Sequence, residues 1–165
     1  MLKGRRLGIA TTVFLVSLPI LTGCDGVAPG SAQAQRFVGE AEYAALYDSA
    51  VDEFSEKLPG GVVFPADPPA VEDGAQIERS VATAVVHLYW RCSWQRVYLA
   101  TRDLVQKEAA MRQLERFAET SWAQSYYDDS SGAWSGALYS ASLGDAGMLR
   151  DFYISDCESR TGPLA

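Results

Sequence analysis

One histidine, His87, serves the whole 165-residue chain. Zinc sites draw several ligands from His and Cys, so this scarcity argues against a histidine-built metal centre. It also confines any Ser–His–Asp or Cys–His relay to position 87. Cysteine is nearly as scarce, with Cys24, Cys92 and Cys157 alone. A glycine-rich phosphate loop is missing, because Gly60-Gly61 lacks the Lys and Ser or Thr that should follow it. Positive charge is short too: 14 Lys and Arg stand against 21 Asp and Glu, a net of −7. Setting aside the three bases at the start, Lys3, Arg5 and Arg6, takes that net of −7 to −10. Non-specific nucleic-acid binding needs many phosphate-neutralising cations, so no nucleic-acid partner is expected. The same deficit argues against electrostatic attraction to anionic lipid.

The N-terminal apolar run, Leu7 to Leu21, is broken by Thr11, Thr12, Ser17 and Pro19. It is shorter than the ~20 residues of a spanning helix. Behind its basic start and ahead of its small residues, it has the pattern of an export signal. The run ends in Leu21-Thr22-Gly23-Cys24, which resembles the lipobox of bacterial lipoproteins. In that family the cysteine receives a diacylglycerol thioether and the signal is cut just before it. The resemblance covers residues 1–24 and implies a signal peptide over 1–23 and lipidation of Cys24. An uncleaved anchor or plain secretion are the alternatives. One acyl chain holds a protein only marginally, but two or three give stable attachment at ~0.8 kcal/mol per buried CH₂. The implied location is the cell membrane, on its extracytoplasmic side. Asp25 resembles the inner-membrane retention signal of double-membrane bacteria, and carries no such meaning in a single-membrane host.

Residues 24–36 continue as DGVAPGSAQAQ after the cysteine. That composition has no apolar periodicity and reads as a tether. Eleven such residues span roughly 18 Å. The remainder, 37–165, reads as one helical domain, since 48% hydrophobic and 21% charged residues suit a globular core.

Val81 to Ala100, VATAVVHLYWRCSWQRVYLA, is apolar on nearly every face. Such a helix is normally buried by others, and this one predicts the centre of the domain. Its polar stripe is Ser80, Thr83, His87, Arg91 and Gln95. Before it, Phe37, Ala41, Ala44, Tyr47, Val51, Phe54 and Leu58 fall at steps of 3 and 4, predicting a first helix over Val38 to Lys57. Residues 59–74 hold four prolines and three glycines and predict a long non-helical connection. The second helix is expected from Gln76 to Thr101. A third is expected from Leu104 to Ser125, with Asp103 as its cap and Gln106 at N3. One continuous helix over 76–125 is the alternative. Trp134 to Leu143 predicts a short helix, and Asp145 predicts the N-cap of a last one running to Cys157. The expected fold is therefore all-α: a small bundle of about four helices with a central hydrophobic helix.

Cys92 and Cys157 form an even pair in an exported domain and are expected to bridge. The bond would staple the last helix to the central one. Acids dominate residues 40–78 and bases dominate 79–116, which predicts the first helix lying beside the second and third.

Candidate chemistry is thin. His87 and Arg91 on the central stripe could meet Asp48 or Asp52 across the bundle, the sharpest enzyme-like grouping in the chain. Asp128-Asp129 lacks the alternating acids of a calcium loop and reads as a solvated turn. No cofactor or metal is expected. Ten Trp and Tyr residues lie between 89 and 153. Most are expected in the core, with some left to face a partner protein or glycan. The leading expectation is a non-enzymatic binding module of the cell envelope. The alternative is a small enzyme, or an enzyme accessory, built around His87.

Overall fold

The computed structural model describes residues 36–164, so the Cys24 anchor and the 1–23 signal lie outside the described residues. In chain order come β1 (Phe37–Val38), α1 (Glu40–Asp52), β2 (Ile77–Glu78), α2 (Ser80–Ala100), α3 (Leu104–Phe117), α4 (Ser121–Tyr126), α5 (Ala133–Ser142), α6 (Gly147–Asp156) and α7 (Glu158–Thr161). The architecture is helical, as the periodicity predicts, and α2 is its axis. α1, α3, α6 and α7 all pack on it. No helix among the described residues is long and apolar enough to cross a membrane.

Two apolar clusters are strung along α2. Near its start, Ala82 and Val86 pack with Tyr43, Tyr47, Val38 and Ile77. Further along, Trp90 and Tyr98 pack with Leu114, Phe117, Trp134 and Leu149. Several aromatics are tied by their polar ends, as buried Trp and Tyr require. Tyr98 Oη donates to the Ala141 carbonyl at 2.7 Å. Trp90 and Trp94 both donate their indole N–H to the carbonyl of Lys57, each at 2.9 Å.

That shared carbonyl explains one departure from expectation. The first helix ends at Asp52 and not at Lys57, although Phe54 and Leu58 keep helical spacing. Residues 53–58 instead cross α2, putting Phe54 5.1 Å from the His87 ring and 6.0 Å from Trp90. Leu58 precedes Pro59, which disfavours helix there in any case. Tertiary hydrogen bonds and aromatic burial outweigh one more helical turn.

The antiparallel pair β1–β2 was not expected. It matches Phe37 with Glu78 and Val38 with Ile77. Its effect is to fasten the start of the domain to the start of α2, which begins at Ser80 and not at Gln76.

The break before α3 falls where the cap residue predicts it. Thr101 is extended at ψ 144°, and Asp103 Oδ1 accepts from the N–H groups of Val105 and Gln106 at 2.8 and 3.3 Å. A single helix over 76–125 is thereby excluded. The expected third helix is itself split, since Thr120 is extended and its Oγ1 caps α4 through the Ala123 N–H at 3.2 Å. The short helix after residue 132 is present as α5. Asp145 does not cap α6 from the adjoining position. Its carboxylate accepts the Gly147 N–H at 3.0 Å from one residue further out.

Cys92 and Cys157 are bonded, with their Cα atoms 5.1 Å apart and their positions 65 apart in sequence. Both are fully buried and share a small cluster with Tyr153. α6 and α7 are thus stapled to the middle of α2.

Candidate functional site

His87 lies one turn before Arg91 on α2, facing residues 53–56 on one side and the α3–α4 junction on the other. The imidazole stacks on Trp122, with centroids 5.1 Å apart and planes at 12°. Phe54 meets it edge-on at 5.1 Å. A hollow of about 360 Å³ opens beside it, bordered by Thr83, Glu53, Glu56, Glu119 and Thr120. Arg116 grips Glu56 through two hydrogen bonds of 2.8 and 2.9 Å. The His87 Nδ1 is buried and has no hydrogen-bond partner. Burial pushes the imidazole pKa below its usual value, against the opposing pull of Glu56. His87 is therefore held neutral at pH 7.

This hollow is polar and rich in carboxylates, but its imidazole hydrogen-bonds to no carboxylate among the described residues. A general base is normally oriented by such a bond. The arrangement can accept a small polar or cationic group. It does not assemble a relay.

The four residues grouped from sequence occupy three places. Asp48 and Asp52 border a different hollow, with Val63, Phe64 and Pro65. His87 has Glu53, Glu56 and Glu119 as its acidic neighbours instead. The early end of α1 brings the later acids, and not Asp48 or Asp52, to the imidazole.

Arg91 is placed differently again. Its side chain is 1% exposed, and the guanidinium lies 5.4, 5.6 and 5.0 Å from the ring centres of Phe117, Tyr127 and Trp134. Cation–π attraction operates at such distances. One Nη donates to Asp156 Oδ2 at 3.0 Å and the other to Tyr127 Oη at 3.3 Å. The expected polar stripe turns inward at this end of α2. Gln95 is also buried, donating to the Leu149 carbonyl at 2.7 Å. α5 and α6 cover this half of the helix, so Arg91 and Gln95 hydrogen-bond to protein groups.

The Asp128-Asp129 turn has a structural task. Asp129 accepts from the backbone N–H groups of Trp134 and Ser135 at 2.8 and 3.0 Å, capping the first turn of α5. Burial opposes ionisation there, but these donors hold the Asp129 carboxyl below the usual range. Sequence reading missed the partnership because the acceptor precedes the helix by four residues. Among the described residues no group of three or more His, Cys, Asp or Glu side chains is arranged to hold a metal ion.

Fold and hollows define a disulfide-stapled helical domain with a histidine-bearing polar depression. No family model, curated protein or solved structure matches this chain.

Proposed function

We propose that the chain is a lipoprotein, anchored through Cys24 to the extracytoplasmic face of a bacterial membrane, whose helical domain is a non-enzymatic binding module for an envelope protein or glycan. Anchoring rests on the Leu21-Thr22-Gly23-Cys24 pattern, and the observation that supports export is the buried Cys92–Cys157 bond. Such bonds persist in oxidising compartments, which agrees with the export pattern of residues 1–24. Support for binding comes from large apolar side chains left at the surface, Leu104, Val105, Tyr126, Tyr139 and Leu143 among them. Exposed aromatics are frequent anchors of recognition surfaces.

Metabolic labelling with a palmitate analogue tests the anchor. The wild-type chain incorporates label and fractionates with membranes. Cys24→Ser blocks labelling and leaves the signal attached. Normal processing of that variant, with labelling unchanged, would refute the lipoprotein reading. Crosslinking in native membranes then tests the binding half.

A second reading, an enzyme or accessory centred on His87, has one observation in its favour: a neutral imidazole bordering a hollow with three glutamates. His87→Gln separates the two readings. It leaves partner capture intact if the domain is a binding module, and abolishes turnover if it is an enzyme.

A further inference from the structure

Two hollows away from His87 share one wall, formed by Ser159 and Arg160 of α7. The first, of about 470 Å³, has an apolar floor of Tyr47, Val85 and Tyr89 and is roofed by Pro65, Pro68 and Pro69. Both tyrosine hydroxyls are already engaged, Tyr47 with the Pro65 carbonyl at 2.9 Å and Tyr89 with the Val63 carbonyl at 3.0 Å. These bonds pin the proline-rich connection over α2 and keep the hollow formed. The second, of about 370 Å³, is bordered by Leu88, Trp122 and Tyr127 with Arg91, Asp156 and Arg160. Its two cations face one carboxylate, so its lining carries one net positive charge in a chain whose net charge is −7.

Arg160 is free to act on a ligand. Its Nε donates to the Asp156 carbonyl at 3.1 Å. Its terminal nitrogens make no hydrogen bond or ion pair among the described residues. It is also well positioned, three residues after disulfide-bonded Cys157. Arg91 supplies a second, buried positive charge nearby, already paired with Asp156. Asp67 stands on the border of the apolar hollow and opposes a second negative charge there.

We infer that the first of these adjoining hollows binds a small monoanion with an apolar body, its carboxylate on Arg160 and its body over Tyr47, Val85 and Tyr89. Its volume of about 470 Å³ is within the range of small-molecule sites. A guanidinium pairs with a carboxylate through strong, charge-assisted hydrogen bonds. With Arg91 already paired with Asp156, Arg160 is the one cation of the two linings without an ion-pair partner among the described residues, which suits a carboxylate better than a phosphate monoester, with its charge of about −1.5 to −2 at neutral pH. The two hollows share no lining residue with the depression beside His87, nor with the exposed side chains invoked above for a partner.

The test uses the full chain in lipid nanodiscs, with empty nanodiscs as the blank, and ligand-observed NMR titration. The probes are phenylacetate, its neutral counterpart phenylacetamide, and 1,4-phenylenediacetate. Phenylacetate binds, and Arg160→Gln weakens it about tenfold, the scale of one charge-assisted contact. Phenylacetamide binds more weakly and is indifferent to Arg160→Gln. The diacid binds more weakly than the monoacid and recovers with Asp67→Asn. Arg160 and Asp67 are both exposed, so neither variant threatens folding. No phenylacetate binding up to about 20 mM, a concentration well above a 1 mM Kd, overturns the site. Equal affinity for acid and amide, or an Arg160→Gln variant that binds phenylacetate unchanged, overturns it as well.

Discussion

At the scale of single residues, His87 is the group whose environment has the clearest consequence. Its ring is held between Phe54 and Trp122, and its Nδ1 has no partner. A proton placed on that nitrogen would be buried without an acceptor. Burial therefore depresses the folded-state pKa, with Glu56 opposing. The unfolded chain takes up the proton near pH 6.5 and the folded chain only below that. His87 thus contributes stability that is present above pH 6.5 and lost as pH falls toward its folded pKa. Carboxylates also titrate as acid is added, so the comparison must isolate this ring. Denaturant unfolding of wild type and His87→Gln between pH 7.5 and 5 should give a steeper acid loss in wild type, by no more than one proton. Parallel curves would mean that the imidazole is accessible to protons in the folded state.

The elements show where charge patterning is right in outline and wrong in its residues. The acidic first part of the chain does lie beside the basic helices, through Glu42 with Arg79 and Glu56 with Arg116. Asp48 and Asp52 make no ion pair among the described residues. Glu56→Lys should therefore lower the urea midpoint at 0.1 M salt, and the loss should shrink at 1 M, where the screening length falls from ~10 Å to ~3 Å. Asp48→Lys with Asp52→Lys should change stability little at either salt. A larger effect at Asp48 and Asp52 than at Glu56 would put those two aspartates against the basic helices after all. The underlying misreading is instructive. Phe54 and Leu58 are spaced for a helix, but their burial is delivered by a crossing segment whose Lys57 carbonyl receives two indoles. Apolar spacing reports which residues are buried more reliably than the backbone that buries them. β1 and β2, at two residues each, are too short to leave any periodicity. The break at Thr101 to Asp103 was legible because a cap acts locally, through N–H groups two and three residues away. Arg91 was not. A cation at helical spacing with Thr83 and His87 looks solvated, and only the later arrival of Phe117, Tyr127 and Trp134 encloses it.

For the whole molecule, the Cys92–Cys157 bond ties the two C-terminal helices to the central one. α6 and α7 are short helices of ten and four residues, and helices of this length are marginal alone. What holds them is Leu149 in the main core, Gln95 on the Leu149 carbonyl, Arg91 on Asp156, and the bond itself. The chain-entropy model assigns about 4 kcal/mol to a loop of this size. Loss of a native bond from a small exported domain generally costs about 2–5 kcal/mol, a large share of the ~5–15 kcal/mol a domain has. Cys157→Ser should lower the melting temperature by several degrees and expose α6 and α7 to protease before the α2–α3 core. It should also weaken phenylacetate binding, because α7 carries Arg160. Wild-type protease resistance in Cys157→Ser would show that packing of Leu149 and Tyr153 alone retains α6. Free-thiol titration showing both cysteines reactive in the native protein would remove the bridge, and with it the constraint that fixes Arg160 beside the two hollows.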